Sequence, residues 1–130
     1  MTTGDLRATP RPGTVAAALV LVAVQVVLMI VASVTASFAT ADGKPFAVTV
    51  PVFLIVLYAI AAFYLWAGRN WARILTMTFA VLGLIGHLSV AFYYGHGPTI
   101  TLHVVAAVIA LGVLVLLAMP ASRAYYHHVR

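Results

Sequence analysis

Cysteine and glutamate are both absent from this 130-residue chain, and aspartate occurs only at Asp5 and Asp42. The first absence excludes disulfides, thiolate metal sites and a cysteine nucleophile, and leaves the redox compartment unreadable. The scarcity of carboxylates leaves no acidic pair and no Ser-His-Asp constellation, because both aspartates fall outside the long apolar runs. The chain is therefore expected to be non-enzymatic. Charged residues make up 7% of it and hydrophobic residues 65%, where soluble domains carry about a quarter charged. With a mean hydropathy of +1.13, it reads as an integral membrane protein. The net charge of +5 does not imply nucleic acid, since the basic residues flank apolar runs instead of covering a polar surface.

What is present is four apolar runs. A bilayer core of about 30 Å needs roughly 20 helical residues, and the candidates are Val15–Phe38, a run from Phe46 or Thr49 to Ala67, one from Ala72 or Ile74 to Tyr94, and Pro98–Met119. The breaks "ADGKP" (41–45) and "GHGP" (95–98) combine glycine with proline, a strong turn signal. Pro98 suits a first helical position, Pro51 is tolerable in a first turn, and Pro120 closes the last run. Period-2 alternation is missing, which favours helices over a membrane β-barrel. Short loops make successive helices antiparallel neighbours. The predicted fold is an all-α, up-down four-helix transmembrane bundle over 15–120, between a short disordered tail (1–14) and an interfacial tail (121–130). A rival reading takes the first run and "ATA" (39–41) as a cleaved signal peptide. The run is longer than the usual apolar core of such a peptide, and cleavage would leave an odd number of spans.

Outside the runs, Arg7, Arg11, Arg69, Arg73, Arg123 and Arg130 fall on one set of alternating segments and Lys44 alone on the other. The positive-inside rule then predicts residence in the cytoplasmic membrane with both termini and "WAGRNWAR" (66–73) facing the cytoplasm. In that stretch Arg69 and Arg73 read as topology anchors, and Trp66 and Trp71 as members of the interfacial aromatic belt. Tyr125 and Tyr126 join them, with Tyr93 and Tyr94 on the opposite belt. Recognition of an anionic lipid headgroup, or of a partner's acidic surface, is the functional alternative for the arginine pair.

Helices in lipid pack through small residues. Ala18, Leu21, Gln25, Met29, Ala32 and Ala36 share one face of the first run. Thr76, Ala80, Gly83, His87, Ala91 and Tyr94 do so in the third, and His103, Ala106, Ala107 and Ala110 in the fourth. Gln25, His87 and His103 are thus expected to point into the bundle. Intramembrane polar residues are candidates for function by default, so Gln25, Tyr58, His87 and His103 form the candidate polar site. Gln25 and Tyr58 lie near mid-depth and are expected to hydrogen-bond each other. His87 and His103 should differ in depth by only about 4 Å. With His96 they offer imidazole for a transition metal or haem, although no acidic or thiol ligand accompanies them, so no cofactor is expected. Packing through hydrogen bonds is the plainer role, and proton relay a further one. "GLIG" (83–86) reads as close helix packing. His127 and His128 are expected in a solvated tail.

In layout the chain resembles the small four-span integral membrane proteins of actinobacteria. The resemblance is carried by Arg11-Pro12 before the first run, "WAGRNWAR" and "MPASRAYY" (119–126). It implies membrane residence and brings no activity with it. Small multidrug transporters are similar in size, but carry a glutamate in the first span that this chain lacks. The functional expectation is a self-associating or accessory subunit of a membrane complex, with the bilayer and copies of itself as partners. The alternative is a small transporter or ligand-binding protein with a polar bundle interior.

Overall fold

The computed structural model describes residues 10–39, 46–94 and 97–128, and side chains at 10–34, 52–92, 97 and 100–127. The described residues form five helices and no strand: α1 (Gly13–Ala39), α2 (Phe46–Trp66), α3 (Asn70–Tyr94), α4 (Pro98–Ala118) and α5 (Pro120–His128). Three stretches are long and apolar enough to cross a membrane: Gly13–Val34, Asn70–Phe92 and Ile100–Ala118. Val52–Trp66 of α2 is equally apolar in character but shorter. Of the "ATA" stretch, residues 40 and 41 lie outside the described residues, as do Asp5, Arg7, Asp42, Lys44, His96 and Arg130.

Helix α1 packs on α2 and α4, and α3 packs on the same two. The small residues explain how closely they approach. Ala18, Ala61, Ala72, Ala80, Ala106, Ala107 and Ala110 are buried, whereas large side chains such as Val20, Phe63, Leu82, Phe92 and Val108 face outward. This inside-out distribution suits an apolar solvent, in which van der Waals contact between small-residue faces replaces the hydrophobic effect. At Gly112 a Cβ would stand 2.9 Å from Leu21 Cδ1, so α1 and α4 approach closely there.

The turn in "WAGRNWAR" is a Schellman closure. Gly68 adopts φ 76°, its N–H donates to Leu65 O and the Arg69 N–H donates to Tyr64 O, both at 3.1 Å. A left-handed residue at this position favours glycine. Arg69 O then accepts from the N–H groups of Ala72 and Arg73, opening α3.

The same end of the molecule is cross-linked by side chains that satisfy helix-terminal carbonyls, the groups a helix cannot pair internally. Arg73 Nε donates to Leu117 O at 2.9 Å, Tyr126 OH to Leu65 O at 3.1 Å and Arg11 Nη2 to Trp66 O at 3.0 Å. Ser122 donates to Leu116 O at 2.7 Å, so the Thr14 hydroxyl, 2.9 Å away, donates to Ser122. Burial, reinforced by Tyr125 and opposed by Arg11 and Arg73, raises the Tyr126 phenol above its ordinary range, which keeps it a donor.

Three expectations change here. Where an interfacial tail is expected at 121–130, residues 120–128 form a helix, with Ser122 and Tyr126 buried and His127 exposed. Met119, forced to extended backbone (ψ 146°) by the proline after it, ends α4, and Pro120 starts α5 at the position where its missing N–H costs nothing. Nor do Arg69 and Arg73 act alike: Arg69 is exposed, but Arg73 is drawn inward by the unpaired carbonyl of Leu117. The tail expected at 1–14 ends earlier as well, since α1 begins at Gly13 and Arg11 lies 4.1 Å from the centre of the Trp66 ring.

Candidate functional site

Farther along the helices the packing loosens, and a cavity of ≈ 470 Å³ opens among α1, α2 and α3, with His103 of α4 at its back. That volume lies within the range of small-molecule pockets. Leu54 of α2 and Leu82 and Gly86 of α3 line it and are exposed, so it opens sideways between these two helices. Two glycines create the space. A Cβ on Gly83 or on Gly86 would meet nothing within 4 Å, so "GLIG" borders a void and is not the tight packing expected of it. Met29, Phe79 and Val90 make the wall predominantly apolar.

The polar residues gather on this cavity. Gln25 Nε2 lies 3.2 Å from His87 Nε2, and His87 Nδ1 lies 3.1 Å from His103 Nδ1. An amide nitrogen only donates, so His87 Nε2 accepts and the neutral ring carries its proton on Nδ1. His87 Nδ1–H then donates to His103 Nδ1, which leaves the His103 proton on Nε2. The three side chains form one directional hydrogen-bonded chain across α1, α3 and α4.

Tyr58 lines the same cavity but does not join that chain. The expected Gln25–Tyr58 bond is absent: Tyr58 OH and Gln25 Oε1 are both buried without a hydrogen-bond partner. The Tyr58 ring instead packs edge-on against Phe79, with ring centres 5.9 Å apart. Trp66 and Trp71 lie at the cross-linked end, facing outward, with Trp71 against Tyr64 at 4.9 Å. Sequence periodicity missed Phe79 and Gly86 as cavity residues. The only available signal for the void was the pair of glycines three residues apart on a helix.

The two histidine rings are hydrogen-bonded to each other. Two imidazoles on opposite sides of one metal hold their nitrogens about 4 Å apart, twice a bond of ~2.0 Å, and the 3.1 Å here is a hydrogen bond. Among the described residues no three His, Cys, Asp or Glu side chains gather as a metal site.

No protein-family model, curated protein or solved structure matches the chain.

Proposed function

We propose that this is a four-span membrane protein that binds a lipophilic small molecule entering from the bilayer, with the cavity among α1, α2 and α3 as its site. The observation that carries the reading is the void itself: an apolar, laterally open space whose buried polar atoms, Gln25 Oε1 and Tyr58 OH, have no hydrogen-bond partner among the described residues. A buried polar group without a partner costs about 1–3 kcal/mol, so a ligand that supplies one gains what the empty protein forgoes. The up-down four-span arrangement in the cytoplasmic membrane, with both termini inside, rests on the apolar runs and the Lys/Arg asymmetry. The accessory-subunit reading drew on small-residue faces, of which Ala18, Ala80, Ala106, Ala107 and Ala110 are buried within the chain and Ala32 and Ala91 half-buried.

Native mass spectrometry of protein released from detergent micelles tests the proposal. We expect wild type to carry a lipophilic adduct that Gly83→Leu, whose Cβ enters open space beside the void, abolishes. An adduct that survives Gly83→Leu, or wild type without one, overturns it.

A further inference from the structure

The ligand's head group can be read from the groups left open in the cavity. Gln25 is 3% exposed and Tyr58 4% exposed, so neither Gln25 Oε1 nor Tyr58 OH finds ready solvation by bulk water. Gln25 Oε1 accepts only and requires a donor. Tyr58 OH both donates and accepts. His87 cannot answer either, since Gln25 and His103 engage both of its ring nitrogens.

Charge is the second constraint. Among the described residues no Lys, Arg, Asp or Glu lines the cavity. A carboxylate, phosphate or ammonium head would be buried without a counter-ion, at a desolvation cost of several kcal/mol. The head must be neutral.

Its polarity is the third. A ketone, ester or ether oxygen accepts from Tyr58 but offers nothing to Gln25 Oε1. A hydroxyl donates to Gln25 Oε1 while accepting from Tyr58. We infer that the cavity takes a lipophile with a neutral hydroxyl head, such as a long-chain alcohol, seated between Gln25 and Tyr58. This rests on the ligand-binding reading above and adds the chemical class of the ligand.

The experiment measures binding of tritiated hexadecan-1-ol to the full chain in nanodiscs, with hexadecyl methyl ether and hexadecanoate as competitors. The ether keeps the acceptor and loses the donor; the acid is charged. We expect saturable binding of the alcohol, with both competitors at least about tenfold weaker than unlabelled alcohol. Tyr58→Phe, which keeps ring shape and leaves the histidine chain untouched, should weaken it about tenfold, as should Gln25→Leu. Gly83→Leu should abolish it. If ether and alcohol compete equally and Tyr58→Phe changes nothing, while Gly83→Leu still abolishes binding, water completes Gln25 and Tyr58. The hydroxyl inference then fails and the ligand-binding reading stands. Preference for hexadecanoate defeats the neutral head. Alcohol binding that is indifferent to Gly83→Leu, or no saturable binding at all, defeats both.

Discussion

Arg73 shows how a residue type can mislead about its role. A basic residue at the boundary of an apolar run reads as a topology anchor, and Arg69 is exposed. Four residues on, Arg73 lies one helical turn further inward, where Leu117 at the end of α4 holds out a carbonyl that its own helix cannot pair. A cation at a helix C-terminus is also favoured by the helix dipole. Arg73→Gln should therefore lower stability by about 1–3 kcal/mol, the cost of leaving a buried carbonyl unpaired, whereas Arg69→Gln should leave it nearly unchanged. Thermal unfolding in detergent, followed by circular dichroism, distinguishes the two; equal effects would place Arg73 among the plain anchors. The sequence carries this distinction only in the four-residue spacing. The deciding partner is 44 positions away and invisible to any local pattern.

At the level of helices, the existence of α1 to α4 was legible and that of α5 was not: the runs starting at Val15 and Pro98 agree with α1 and α4 to within two residues at either end. Length and hydropathy are local properties, so they survive without knowledge of neighbours. The 3.6-residue period also assigns Gln25, His87 and His103 to inner faces. It does not fix the rotation of α2 against α1, which is why Tyr58 looks like the partner of Gln25 when His87 is. Helix approach has a similar dependence on context. Gly112 resembles any other glycine in an apolar run until Leu21 is placed 2.9 Å from its missing Cβ. The atom in the way ends a flexible side chain, so Gly112→Ala should cost under about 1 kcal/mol, with helix propensity offsetting part of the rotation of Leu21. Gly112→Leu must push α4 off α1 and should cost about 1–3 kcal/mol. Unfolding midpoints of the two variants in one detergent check the contrast, and similar midpoints would mean that α1 and α4 are not in close register at this point.

For the whole molecule, the proposed orientation rests on the basic residues gathered at one end. Reporter fusions at residue 130 and within the segments near 43 and 96 should report cytoplasm, exterior and exterior in turn; a C-terminal fusion active only outside the cell would invert the topology. The void was not legible at this scale, because an empty volume is a property of three helices at once and leaves no residue of its own in the chain. Its position relative to the cross-links has a mechanical meaning. Arg11, Arg73 and Tyr126 pin α2 and α4 at one end, and the Gly68 turn ties α2 to α3 there as well. From Leu65 to Leu54 is about 16 Å of helix at 1.5 Å per residue. The two helices therefore behave as the arms of a clothes-peg sprung at its base. A tilt of only about 7° displaces the far tip by about 2 Å over that arm, about half a methylene's breadth, so the mouth widens there with little displacement at the hinge.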